Sequence, residues 1–133
     1  MTSKVVYLGD LRTECTHEQS GNAFITDAPT DNNGKGLAFS PTDTVATGLA
    51  SCMMTVMGIK ARDMEVNMAG TSAEVTKTMD SNPRRISKIE VVMELPFKAD
   101  DKTKKILENT AMTCPVLNSL HPDIEKVITF KWA

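Results

Sequence analysis

The amino-acid sequence predicts an α+β fold, from the order of its predicted elements and from one long apolar segment. Short segments with alternating apolar residues near both ends indicate strands, and the uncharged stretch in the middle indicates a helix. Strands, a helix, strands, helices and a final strand follow one another, an order typical of the α+β class. A chain of 133 residues has the usual size of one domain, so we expect residues 1–133 to form a single domain.

The N-terminal segments predict a hairpin and one further strand. Val5–Leu8 and Leu11–His17 have strand composition, and Gly9-Asp10 between them is a turn signal. A third short strand is predicted over Ala23–Thr26. The stretch from Asp27 to Lys35 is rich in Pro, Asp, Asn and Gly, which indicates a loop.

The central helix has a clear start signal. Ser40 suits the N-cap, Pro41 suits the first helical position, and Asp43 complements the positive end of the helix dipole. The apolar period then continues to about Arg62. Its arc is so wide that we expect the helix to be covered on most sides. One predicted face contains Val45, Leu49, Cys52, Val56 and Ile59, and the adjoining face contains Ala46, Ala50, Met53 and Met57.

Alternating residues after this helix predict two half-buried strands. The first covers Met64–Met68 and Ala73–Thr76, and the second covers Lys88–Phe97. Asp80-Ser81-Asn82-Pro83 is a turn signal, so we expect an antiparallel hairpin. The remaining predicted elements are a helix over Asp100–Met112, a short helical turn opened by Thr113-Cys114-Pro115-Val116, and a closing strand over Val127–Trp132.

Composition excludes several classes of protein. A net charge of −2 lacks the basic excess that nucleic-acid binding requires. The N-terminus has no basic region followed by an apolar run, so a signal peptide is not predicted. The longest uncharged stretch, Thr44–Ile59, is shorter than the roughly 20 residues of a membrane span. Three cysteines without a CxxC pair favour a reducing compartment, and we expect a cytoplasmic protein.

The three cysteines differ in their local sequence. Cys15 lies in a predicted strand and is typical of a packing residue. Cys114 precedes a proline, which predicts an N-cap position and a lowered thiol pKa. Cys52 lies in mid-helix, where the dipole contributes little, so a reactive thiol there would need a nearby cation such as an arginine. The residues alone allow two interpretations of each cysteine: a buried packing residue or a reactive thiol.

Two longer motifs surround Cys52 and Cys114. The run from Gly36 to Cys52 contains a helix-start proline, an acidic residue and a Leu/Ala-rich helix before its cysteine, and Thr113-Cys114-Pro115-Val116 is a Cys-Pro-Val start. Together they resemble the two cysteine signatures of the OsmC/Ohr superfamily, the osmotically inducible and organic hydroperoxide resistance proteins. Four further segments resemble its general OsmC-like branch: Ser20-Gly21, Asp27-Ala28-Pro29, Gly34-Lys35-Gly36 and Pro83-Arg84-Arg85-Ile86.

This resemblance implies a fold and an activity. The fold would be OsmC-like, with antiparallel sheets packed around a central buried helix in an intertwined homodimer that has its active site at the subunit interface. The activity would be thiol-dependent reduction of organic hydroperoxides, and of hydrogen peroxide as a further substrate, without a cofactor. Cys52 would become a sulfenic acid, Cys114 would resolve it to a disulfide, and an external dithiol would reduce that disulfide.

The resemblance also assigns two supporting residues. The best-studied branch has a glutamate directly after the helix-start proline, where this chain has Thr42, and the nearest acid is Asp43. That branch takes its catalytic arginine from an N-terminal segment, and Arg12 is the arginine of that segment here. Arg12 and Asp43 are therefore the predicted partners of the two cysteines.

Two other functions remain open at this stage. The chain could be a catalytically weak or inactive OsmC-like dimer that binds small molecules or responds to stress, with thiol pKa values near about 8.5. Acyl hydrolysis by Cys52 is a weaker alternative, because neither His17 nor His121 lies where a histidine base is recognisable. The two histidines also lack ligand-spaced partners, so no metal site is predicted.

Overall fold

A computed structural model describes residues 1–133, which form two compact units, Met1–Val45 and Ala46–Ala133. The predicted α+β class is confirmed by the order of the elements. In chain order they are β1 (Ser3–Gly9), β2 (Arg12–His17), β3 (Ala23–Asp27), a single 3₁₀ turn (Thr30–Asn32), α1 (Pro41–Asp63), β4 (Ser72–Asp80), β5 (Arg85–Leu95), α2 (Asp101–Ala111), α3 (Pro115–Ser119) and β6 (Glu125–Trp132).

The first unit is built on an antiparallel sheet in the order β1-β2-β3. The predicted hairpin is confirmed, and its turn places three successive residues in the left-handed region, with φ of 89° at Gly9, 53° at Asp10 and 63° at Leu11. Glycine adopts this conformation without steric cost, and aspartate tolerates it. Cys15 of β2 lies opposite Val5 of β1 and Phe24 of β3.

No hydrophobic side chain of the first unit is buried. Its buried residues are polar: Thr26, Asp27 and Ser40. The apolar side chains of the sheet remain open to solvent, with Val5 60% exposed and Phe24 53% exposed. Backbone pairing and polar contacts therefore hold this unit together in the single chain.

The start of α1 agrees with its sequence signal. The Ser40 hydroxyl accepts a hydrogen bond from the Asp43 backbone N–H at 3.1 Å, and the Asp43 carboxylate accepts one from the Ser40 N–H at 2.9 Å. This reciprocal pair is a capping box, which satisfies two backbone donors at the helix start. Lys60 and Arg62 lie in the last turn, where cations are favoured.

The second unit contains a mixed sheet in the order β4-β5-β6. The β4–β5 hairpin is antiparallel, as predicted, but β6 runs parallel to β5, with Ile89 opposite Lys126 and Leu95 opposite Trp132. The expectation of wholly antiparallel sheets is therefore wrong for this one. The reason is the connection: α2 and α3 form a crossover that returns the chain before β6 begins, and parallel neighbours require such a crossover.

Met64–Met68 is a connection rather than the predicted strand. The Val66 N–H donates to the Ala61 carbonyl at 2.8 Å, and Glu65 has a φ of 59°, so the chain reverses directly after α1. Met64, Val66 and Met68 are half-buried and pack against the core. Their alternation therefore reflects a loop that covers apolar surface, and β4 begins only at Ser72.

The hydrophobic core lies wholly in the second unit. One face of α1, including Leu49, Met53 and Met57, packs there with Ile89 and Met93 of β5, and all five are fully buried. The other face of α1 is open in the single chain, where Ile59 and Val45 are exposed. The expectation that α1 is covered on most sides is therefore wrong for one chain, because no element of this unit buries that second apolar face.

One helix, α1, is long and apolar enough to cross a bilayer by length and composition, with a mean hydropathy of 1.3. One face of this helix, which includes Leu49, Met53 and Met57, packs into the core described above.

Candidate active site

Cys52 and Cys114 come from different elements of the second unit. Cys52 lies in the middle of α1, where its side chain is half-buried and packs against the hydrophobic core. Cys114 connects α2 to α3 and is 0% exposed. Both are free thiols.

The structure brings these two thiols together. The Cys114 thiol interacts with the side chain of Cys52, and this interaction is one of the causes that raise the pKa of Cys114. The chain between them contains the connection after α1, two strands and α2, so no local spacing predicts the contact. Packing of α1 and the α2–α3 segment into one core brings these two side chains near each other.

Cys114 is the N-cap of α3, as predicted. Its Sγ accepts a hydrogen bond from the Leu117 N–H at 3.4 Å, and Pro115 occupies the first helical position. The predicted fall of its pKa is wrong for the dithiol form. Burial, followed by the interaction with Cys52, raises the pKa of Cys114 and outweighs the lowering by the Leu117 and Val116 N–H groups. A helix of five residues adds little dipole to offset this burial.

Arg12 is bound to Asp27 in the first unit. The guanidinium Nε and Nη2 donate to the two carboxylate oxygens at 2.7 Å and 2.9 Å, which is bidentate geometry. The Asp27 side chain is 1% exposed, and the Leu37 N–H also donates to it at 3.2 Å. The hydrogen bond from Arg12 is the main cause of a lowered pKa at Asp27, where burial acts in the opposite direction.

The sequence did not predict that Asp27 binds Arg12, because Asp27 was assigned only to a loop motif. The available signal was the predicted three-stranded meander, which places the start of β2 beside the end of β3. Arg12 and Asp27 are opposite each other in that register. An arginine facing an acid across two strands is a recognisable cross-strand ion pair.

Asp43, the other predicted partner, lies in the capping box that begins α1. Cys15 is half-buried on β2 and lines an apolar cavity of about 340 Å³ in the first unit, together with residues that include Val5 and Phe24. No group of three or more His, Cys, Asp or Glu side chains is arranged to hold a metal ion. The chemistry available at the paired cysteines is therefore that of two neighbouring thiols.

Comparison with known proteins identifies the family. The OsmC-like protein family matches residues 34–128, a range that contains both Cys52 and Cys114. Among curated proteins, no sequence match reaches significance.

Solved structures agree with this match. A protein of Psychrobacter arcticus 273-4, provisionally named an osmotic stress induced and detoxification response protein, is 59% identical, with a TM-score of 0.95 over 98% of this chain and 95% of its own. An organic hydroperoxide resistance protein OsmC from Legionella pneumophila is 13% identical, with a TM-score of 0.76 over 98% and 97% of the two chains.

An organic hydroperoxide resistance protein from Elizabethkingia anophelis, with thiocyanate bound, is 14% identical and has a TM-score of 0.76 over 100% of this chain and 97% of its own. The two distant structures establish the same fold, and the family match and the 59% identical structure establish relatedness. This chain belongs to the OsmC-like protein family and has the OsmC-like fold.

Proposed function

We propose that this chain is a thiol-dependent peroxidase that reduces organic hydroperoxides, with Cys52 as the peroxidatic residue and Cys114 as the resolving residue. The observation that carries the proposal is the interaction between the side chains of Cys52 and Cys114, both of which are free thiols. A disulfide requires the two sulfurs to approach to roughly 2.05 Å, which neighbouring side chains can reach by local movement. The pair is thus suited to a cycle between dithiol and disulfide.

The proposed chemistry has two steps. The Cys52 thiolate attacks one oxygen of the hydroperoxide, the O–O bond breaks, and the leaving alkoxide takes a proton to become an alcohol. Cys52 is then a sulfenic acid. The sulfur of Cys114 attacks the sulfur of this acid, water leaves, and a disulfide forms.

The exposure of the two cysteines supports this order. Cys52 is half-buried and can meet a substrate, whereas Cys114 is fully buried. The raised pKa of Cys114 keeps its thiol protonated in the resting state, so Cys114 is a poor first nucleophile. A buried thiol beside Cys52 is nevertheless well placed to trap a sulfenic acid formed there.

The family resemblance assigns Arg12 the role of catalytic arginine, and this role stays a prediction. A guanidinium suits it because its charge is kept when the group is buried. Asp27 would hold that guanidinium in a fixed orientation through the bidentate pair. Asp43 would act through the capping box, by fixing the start of the helix that carries Cys52.

The proposal extends to assembly and partners. The exposed apolar side chains of the first sheet and the open face of α1 support an intertwined homodimer in which residues 1–133 form one domain. The relatives named organic hydroperoxide resistance proteins support an organic hydroperoxide as the substrate. An external dithiol would be the reductant, and the site of action would be the cytoplasm.

The test is a coupled assay with cumene or tert-butyl hydroperoxide and a dithiol donor regenerated through NADPH. We expect Cys52→Ser to lose turnover, and Cys114→Ser to consume about one equivalent of hydroperoxide and then stop at the sulfenic acid. Cys15→Ser is the matched control and should keep full activity. Full activity of Cys52→Ser, or thiols that survive excess hydroperoxide, would contradict the proposal and favour the non-catalytic dimer.

A further inference from the structure

We infer that the external reductant attacks the Cys52 sulfur of the oxidised protein, and that Cys114 is the leaving group. This inference depends on the disulfide of the proposed function and assigns the direction in which that disulfide is opened. A disulfide has two sulfurs, and the choice between them depends on access and on which thiolate leaves more easily. The structure distinguishes the two cysteines by access.

Access favours attack at Cys52. The attacking thiolate must approach in line with the S–S bond, from the side opposite the sulfur that leaves. Cys114 is 0% exposed at the junction of α2 and α3, and its surroundings belong to the hydrophobic core. Cys52 is half-buried on a helix whose neighbouring residues Ser51 and Thr55 are exposed. In the single chain, attack at Cys52 therefore does not require the core to open.

The local hydrogen bonds favour departure of Cys114. The Leu117 N–H donates to Cys114 Sγ at 3.4 Å, and the Val116 N–H also acts to stabilise negative charge on this sulfur. Cys52 lies in mid-helix, where backbone N–H groups are used by carbonyls four residues earlier. The N–H groups of Leu117 and Val116 therefore offset part of the cost that burial imposes on a Cys114 thiolate.

Burial then slows the reverse reaction. The raised pKa of Cys114 means that its newly formed thiolate takes up a proton. A protonated thiol does not attack a disulfide, so Cys114 cannot readily expel the reductant from Cys52. The mixed disulfide on Cys52 consequently survives long enough for the second thiol of the reductant to act.

The first thiolate of an external dithiol forms a bond to Cys52 Sγ, and the pair of the S–S bond leaves with Cys114 Sγ, which is protonated. The second thiolate of the dithiol then attacks the sulfur of the same dithiol that is bonded to Cys52. The bond to Cys52 breaks, and the Cys52 thiolate is released. The external dithiol is oxidised to a disulfide, and the protein regains two thiols with the two protons that the dithiol gives up.

The experiment traps the mixed disulfide. The full-length Cys15→Ser protein is oxidised with diamide, which forms the disulfide without any hydroperoxide, and mass spectrometry verifies the bond. The oxidised protein is then exposed briefly to 2-mercaptoethanol and quenched with acid. Its free thiols are alkylated, and peptide mapping locates the adduct. We expect the adduct on Cys52 to exceed that on Cys114 by about tenfold or more, with Cys114 alkylated. Equal adducts, or an excess on Cys114, would overturn the inference.

A second measurement uses single-cysteine proteins in the same Cys15→Ser background. Thionitrobenzoate is attached to Cys52 in Cys114→Ser and to Cys114 in Cys52→Ser, and its release by 2-mercaptoethanol is followed by absorbance. Release from Cys52 should be about tenfold faster or more. Similar rates would contradict the inference. If hydroperoxide fails to form the disulfide that diamide forms, the proposed function fails while the direction of attack is still decided.

Discussion

The two compact units of this chain are stabilised by opposite kinds of interaction. Every buried hydrophobic residue lies between Ala46 and Cys114, in the second unit. The first unit buries only polar side chains, and its most specific contact is the bidentate pair between Arg12 and Asp27. The second unit thus has a close-packed apolar core, and the first unit has a sheet whose apolar residues remain exposed.

This difference indicates that the stability of the chain and its assembly depend on different units. A three-stranded sheet with exposed Val5, Tyr7 and Phe24 gains little from burial by itself. Large exposed apolar surfaces are typical of surfaces that contact another protein. The second unit is expected to carry the stability of the single chain, and the first unit is expected to carry its association.

The largest effect is expected from a cavity in the core. Leu49→Ala removes a fully buried side chain of α1, and we expect the free energy of unfolding to fall by about 2–5 kcal/mol. Thr47→Ala, at an exposed position of the same helix, is the matched control and should change it by about 0.5 kcal/mol or less. Urea denaturation measures both. A Leu49→Ala effect as small as the control would mean that the core does not carry the stability.

A charge in the first sheet should act mainly on association. Phe24→Asp places a carboxylate on the apolar sheet surface, so we expect the dissociation constant of the proposed homodimer to rise by about tenfold or more, or about 1.4 kcal/mol. Sedimentation velocity over a concentration series measures this. Glu18→Lys, at an exposed turn, is the control. A wild-type chain that stays monomeric throughout, or an unchanged Phe24→Asp dimer, would refute the division of roles.

The smallest effect is expected on the pH dependence of stability, when the buried Asp27 carboxylate is replaced. The pKa of Asp27 is lowered in the folded protein, mainly by the hydrogen bond from Arg12. Its contribution to stability is therefore fully present above the unfolded pKa of about 3.9 and is lost as the pH falls through the lower folded pKa. We expect the difference in urea midpoint between wild type and Asp27→Asn to be constant from pH 7 to about 5 and to shrink below about pH 4.

The matched control for this pH series is Asp63→Asn, which removes an exposed carboxylate of α1. Its difference from wild type should not follow the acid profile of Asp27→Asn. A difference for Asp27→Asn that grows as the pH falls would show that the ion pair is not what stabilises the ionised carboxylate.

Local signals in the sequence predicted most of the elements. Gly9-Asp10 predicted the first hairpin, Ser40-Pro41 predicted the start of α1, and Cys114-Pro115 predicted the N-cap of α3. These succeeded because each depends on hydrogen bonds and backbone angles within a few residues. The alternation at Met64–Met68 failed as a strand signal, because a loop that covers the core has the same apolar period.

The sequence by itself thus determined the α+β class, the bounds of the helices and the two cysteine motifs, since these depend on local geometry. Only the tertiary structure decided that the Cys52 and Cys114 side chains are neighbours, that β6 lies parallel to β5, and that Asp27 binds Arg12. It also reversed the expected pKa shift of Cys114, because desolvation depends on what surrounds a thiol. Contacts and burial arise between distant segments, and no local pattern encodes them.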